Sequence, residues 1–380
     1  MKIENHNIYN PKPPAFKGYD ARALKGFIMR YTTTLPQDFS KIAAQLQAIG
    51  KNQNFDVFVQ GHNQITSKNL SSLVLQDSPI RGGSKYTWAQ DNITCLPDNI
   101  LLNPTVLNEF NVRIANLLGI KFKPDHKYTH TAGGNYFIMD KNGERELLVG
   151  SFSINDIPSL RKKLDINSVR IIPQSDFHLD LFIRPLKDKV ILLADDKIWL
   201  NRVNETINKI ETDRNLKNNL EIQKVMEQLK KLKPLINIMN IDIPHFPYKP
   251  LKMVEDVLLN SGYKVVRVPG RIFKHENSHD GIIPNHMLNY MNAIVHINPE
   301  GELVYITNKS NLNKECGITE EIGKKINFDF DSEFINSVKD YIKPQNLYFV
   351  ETQKFLKDYD GGIHCLCAEI PNFNTTKQTL

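Results

Sequence analysis

Four short stretches hold residue types that could do chemistry. In DYDGGIHCLCAEIP, residues 358–371, Cys365 follows His364 and stands three residues past Gly362. A thiolate is a strong nucleophile, and a nearby imidazole stabilises it. In SDFHLDLFIRP, residues 175–185, His178 and Asp180 are two apart. On a strand both would face one side, with Leu179 and Leu181 on the other, placing an acid/base group beside a carboxylate. KYTWAQDN contributes Trp88, Gln90 and Asp91, and THTAGGNYFI contributes Gly133, Gly134 and Asn135. Glycine pairs allow a backbone to approach a ligand closely. Taken one by one, each stretch also has a plain reading. Small thiols pack as hydrophobes, a strand histidine is satisfied by a hydrogen bond, and Asp91 or Asn135 caps a turn. Cysteine against the His178–Asp180 wall is the arrangement that gives nucleophilic catalysis.

The elements that must position these residues alternate along the chain. GFIMRYT, from residue 26, reads as a strand, and Phe39, Ile42, Leu46 and Ile49 then mark one face of a helix. NFDVFVQG is a second strand, and residues 104–120 open with Pro and close near Gly119 as a helix does. NYFIMD and RELLVG flank KNGE, a hairpin pattern. A short helix in INDIPSLRKKL precedes the strands SVRIIP, DLFIRPL and KVILLAD. Residues 196–233 form a charged helical stretch with an apolar stripe of Val203, Ile207, Ile210, Val225, Leu229 and Leu232. That stripe reads as an amphipathic helical pair packed on the main body, with a partner-binding excursion as the alternative. PLKMVEDVLLNSGY (helix), KVVRVPG (strand), a hairpin over 291–308, a helix in SEFINSVKDYI and the strand NLYFVET follow. GIHCLCAEI is read as the last strand, so that Cys365 and Cys367 share a face and His364 points away from the nucleophile. The class is α/β or α+β, with the strands in about five groups, each near a helix.

Composition narrows the function. Of 380 residues 41% are hydrophobic and 24% charged, a globular balance. The net charge of +6 is spread over 48 basic and 42 acidic residues, too dilute to argue for nucleic acid. No stretch approaches a membrane span, and the first twenty residues lack the apolar core of a secretory signal. Cys95, Cys316, Cys365 and Cys367 make no disulfide framework in a chain this long, which points to thiols in a reducing, cytoplasmic compartment. Delivery into another cell is compatible with the sequence and unproven by it. No second cysteine or histidine pair completes a zinc site, and there is no Gly-rich phosphate loop, so neither metal nor nucleotide cofactor is expected.

In order, WAQD, GGN, HLD and GGIHC resemble the motifs of the guanidine-modifying, or pentein, superfamily, over roughly residues 80–371. The Gln-Asp pair after Trp88 looks most like vertebrate peptidylarginine deiminases, whereas GGNYFI and NYMNAIVHI look closer to bacterial peptidylarginine and agmatine deiminases. The resemblance implies a five-bladed pseudosymmetric α/β propeller. Residues 1–25 would be an arm, 26–380 one catalytic domain, and about 196–248 a helical insertion. It implies Cys365 as nucleophile, His178 as general acid/base, and Asp91 and Asp180 as the carboxylates that clamp a guanidinium. Trp88, Gly134, Asn135, Asn292 and Gly362 would line the substrate. Ala132 departs from members with an acidic residue before the GG pair, which bears on what part of the substrate is recognised.

The implied partner is a guanidino substrate, with an arginine side chain of a protein favoured over free arginine or agmatine; oligomeric state stays open. A planar cationic guanidinium suits bidentate carboxylates, and its carbon suits a positioned thiolate. An amidinotransferase would share the first half of that reaction. A papain-like protease is disfavoured because its cysteine comes early and starts a helix. A non-catalytic scaffold would have no reason to hold Cys365, His178, Asp91 and Asp180 together.

Overall fold

The computed structural model describes residues 23–32, 39–61, 65–68, 70, 88–89, 93–95, 99–102, 121–124, 133–141, 144–164, 166–187, 189–239, 249–278, 281–352, 355–356 and 361–371. Among these, five sheets share one connection pattern. A middle strand pairs antiparallel with one neighbour and parallel with the next. The middle strands are Leu24–Arg30, Asn99–Leu102, Glu144–Gly150, Val190–Ala194 and Leu303–Asn308. A parallel neighbour cannot be reached by a tight turn, so each pattern needs a crossover. The helix Phe39–Gln53 serves the first unit and Ile157–Leu164 the third. The helix expected over 104–120 lies outside the described residues.

The longest crossover joins Val190–Ala194 to Lys264–Val268 through the helices Asp196–Thr212, Arg214–Lys217, Leu220–Met239 and Leu251–Asn260. The predicted apolar stripe is buried on this body: Val203, Ile210, Val225 and Leu229 are at most 1% exposed. Trp199 meets Phe330 at 5.1 Å between ring centroids, and Arg202 forks onto Glu333 at 2.6 and 2.8 Å. The packed helical pair is therefore the reading that holds for this stretch.

Apolar runs explain the central strands. All five residues of Val190–Ala194 and all six of Leu303–Asn308 are buried, as expected of strands covered on both faces. A further two-stranded ribbon, Arg271–Ser278 with Gly281–Asn289, was not expected from the sequence. The final strand is shorter than read. Only Ala368–Pro371 is extended, pairing antiparallel with Leu24–Arg30, and the preceding Ile363–Leu366 is helical. No helix among the described residues is long and apolar enough to cross a membrane.

Candidate active site

Cys365 is carried by the helical turn Ile363–Leu366. Such a turn makes too few internal bonds to satisfy its own amides, and two asparagines do so from outside. Asn308 Oδ1 accepts the Ile363 N–H at 2.9 Å. Asn292 Oδ1 accepts the N–H of His364 at 2.9 Å and that of Cys365 at 3.5 Å. Asn308 is itself anchored, donating through Nδ2 to the carbonyls of Asn289 at 2.7 Å and Asn292 at 3.0 Å. These contacts account for the glycine pair. A Cβ on Gly362 would stand 2.5 to 2.7 Å from the Asn308 and Asn292 amide groups, and one on Gly361 would meet the Trp88 ring at 2.5 Å. Gly362 has φ of −117°, so close approach rather than backbone strain demands glycine there.

The HLD run is not a strand. Leu179–Leu181 form a 3-10 turn, His178 is extended in front of it, and Ile183–Pro185 is the strand. Strand alternation thus fails as the reason for pairing His178 with Asp180, yet the turn brings them together. One donor atom from each of His178, Asp180 and Cys365 lies within 4.8 Å of the others. Cys365 Sγ is 3.5 Å from Asp180 Oδ2, and Asn292 Nδ2 bridges them, 2.8 Å from the carboxylate and 3.1 Å from the sulfur. A Cβ on Gly134 would fall 2.8 Å from both Asp180 Oδ1 and His178 Nδ1, so the GGN turn is pressed against both groups.

His364 corrects the sequence reading. It was expected to point away from the nucleophile, but helical geometry aims it at the carboxylate, with Nδ1 2.7 Å from Asp180 Oδ2. Its Nε2 is 2.9 Å from Arg184 Nη1, and Arg184 is fully buried. Burial, with Arg184 and His178 adding to it, holds His364 well below the ordinary imidazole value. The papain comparison changes too, since Cys365 does sit on a helical turn, though near the end of the sequence.

A second layer holds the loop before His178. Gln174 Nε2 donates to Asn135 Oδ1 at 3.0 Å and to the Phe177 carbonyl at 2.7 Å, so Asn135 braces this loop. Asp176 accepts the Phe177 N–H at 2.9 Å, lies 3.0 Å from His286 Nε2, and takes Arg271 Nη1 at 2.8 Å. Burial alone would raise the Asp176 carboxyl, but His286 and Arg271 overcome it and hold it below the ordinary value. Arg271 also reaches Asp196 at 3.3 Å and stacks over Phe273. The unforeseen ribbon therefore supplies the cation behind the His178 loop. Cys367 lies beside the site but is fully buried, and burial, then Glu369, push its thiol well up.

Of the residues named from sequence, Cys365, His178, Asp180, Asn292, Gly134 and Gly362 converge, Trp88 lies against the turn, and Asn135 stands one layer back. Asp91 lies outside the described residues. Gln174, Arg184 and Asn308 carry no spacing that marks them, and His364 was placed on the wrong side. The His178–Asp180–Cys365 trio is also, among the described residues, the one set of three metal-ligating groups gathered this closely.

No protein-family model and no curated protein sequence matches the chain. Solved structures do. A C. jejuni agmatine deiminase superposes with a TM-score of 0.51 over 94% of this chain and 96% of that one, at 13% identity. A provisionally assigned peptidyl-arginine deiminase gives 0.51 over 93% and 99%, at 14% identity. The chain has the pentein fold. At such identities the likeness is one of pentein architecture, and the chemistry has to be argued from the side chains.

Proposed function

We propose that this pentein is a cysteine-dependent guanidino hydrolase, releasing ammonia and a ureido product. The observation that carries the reading is the convergence of Cys365, His178 and Asp180 within 4.8 Å. Cys365 Sγ attacks the guanidinium carbon and forms a C–S bond. Asp180, with Asp91 as the second carboxylate, orients the planar cation. The same cation supplies the positive charge that a thiolate beside a carboxylate needs. The C–N bond then breaks as His178 gives its proton to the departing ammonia. Water attacks the resulting thiouronium, His178 takes its proton, and the C–S bond breaks to free the enzyme. Asn292, bonded to both Asp180 and Cys365, keeps the clamp and the nucleophile in register.

The carrier of the guanidino group is proposed to be peptidyl-arginine, ahead of agmatine or free arginine. The two solved structures compared above match this fold equally well, so the preference rests on the likeness of the WAQD run to peptidylarginine deiminases and on the helical stretch at 196–233. The five sheets of common topology support a five-bladed propeller as the architecture. Ammonia and ureido-product release from arginine peptides, agmatine and arginine, beside Cys365→Ala, tests the proposal. Product lost in the variant supports it. Silence across the panel would sink the hydrolase reading.

A further inference from the structure

We infer that Arg184 fixes the tautomer of His364 and thereby makes His364 a positioning residue for Asp180. The structural part stands on hydrogen-bond geometry alone, and its consequence for turnover rests on the hydrolase reading above.

Arg184 lies in the strand Ile183–Pro185, fully buried. A guanidinium has donors only and stays charged. Its Nη1 is 2.9 Å from His364 Nε2, so that nitrogen must offer a lone pair. The ring proton then belongs to Nδ1, which donates to Asp180 Oδ2 at 2.7 Å. An imidazolium would set two N–H donors face to face. Glu369 completes the arrangement, its Oε1 3.4 Å from Arg184 Nη2 and 3.8 Å from His364 Nε2. The Phe137 ring covers both, stacking on His364 at 6.2 Å and lying 5.4 Å from the guanidinium carbon.

Asp180 Oδ2 therefore receives His364 Nδ1–H and Asn292 Nδ2–H together. Two directed donors hold a carboxylate ionised and fix its plane. The charged and titratable groups facing His364 are Asp180, Arg184, Glu369 and His178. In this arrangement His364 stays neutral, handles no proton of the reaction, and keeps the carboxylate beside Cys365 in one orientation.

Long-range proton–nitrogen correlation on the full chain, labelled in histidine, reads the tautomer directly, with His364 assigned by the signals lost in His364→Asn. The expected result is the neutral Nδ1–H form at neutral pH, retained in Arg184→Lys and replaced by the imidazolium in Arg184→Met, where Asp180 keeps the Nδ1 proton and Nε2 is open to a second. With turnover established, Arg184→Met should raise KM by roughly tenfold, the scale of one charge-assisted hydrogen bond. Its acid limb should also move to higher pH, and Arg184→Lys should restore much of both. An Nε2–H or imidazolium form in the unaltered chain overturns the inference even if Arg184→Met does not fold. A ring that stays neutral in Arg184→Met overturns it as well. An Nδ1–H tautomer in a chain that turns over no guanidino compound would instead leave the inference standing and sink the hydrolase reading.

Discussion

Cys365 Sγ and Asp180 Oδ2 stand 3.5 Å apart, a thiol and a carboxyl group held side by side. Asn292 Nδ2 reaches both and keeps them together. A neutral electrophile would gain little from that neighbourhood, whereas a cation gains from both groups.

Cys365→Ala should bring guanidino turnover below detection with the melting temperature nearly unchanged. Cys367→Ala should keep most activity and lose about 1 kcal/mol or somewhat more of stability, because that thiol packs in the apolar core. Equal loss of activity in the two variants would show that the nucleophile is misassigned.

His178→Asn should cut kcat by about 10²- to 10⁴-fold, the usual range for removing a general acid/base. Asp180→Asn should raise KM as well, since it removes the clamp. Steady-state kinetics on both variants separates the two roles, and near-native activity in either would refute its assignment.

Stability should fall on the acid side through His364. In the folded chain this imidazole is held well below 6.5 by burial first, then by Arg184 and His178. Below its ordinary value the unfolded chain takes up a proton that the folded chain refuses. The contribution is thus present above about pH 6.5 and is lost as pH falls towards the folded value, by at most about 1.4 kcal/mol per pH unit. Urea titrations from pH 8 to 5 should show a shallower fall for His364→Asn than for the unaltered chain. Parallel curves would count against a neutral buried His364.

Arg271→Met should destabilise the protein by about 3–5 kcal/mol, because it strands the Asp176 and Asp196 carboxylates in the interior. Denaturant unfolding gives the number. A loss under 1 kcal/mol would mean the buried charges are solvated in some other way.

Chelation separates two uses of the His178–Asp180–Cys365 trio. Dialysis against EDTA should leave turnover unchanged if the trio acts as acid/base, clamp and nucleophile. Loss on dialysis with recovery on adding zinc would make it a metal site instead.

Much of the architecture is legible in local pattern. NYFIMD and RELLVG pair antiparallel as read, and the 3.6-residue stripe from Val203 to Leu232 is buried as read. The site is legible in its residue types but not in its geometry. Period-two alternation assigns strands to HLD and to GGIHC, whereas Leu179–Leu181 and Ile363–Leu366 are single helical turns whose few residues show no periodicity of their own. What fixes those turns is distant in sequence: Asn308 and Asn292 hold Ile363 and His364 by their main chains. Arg184 meets His364 across 180 positions, a pairing no local window reveals.

The sheet that joins Leu24–Arg30 to Ala368–Pro371 has a consequence for the order of synthesis. Leu24–Arg30 is synthesised long before the strand it pairs with, and Cys365 comes only just ahead of that partner. A chain interrupted before Cys365 lacks both that thiol and the strand Ala368–Pro371. On the proposed chemistry such a product carries no nucleophile, so reactivity arrives together with the strand that closes this sheet.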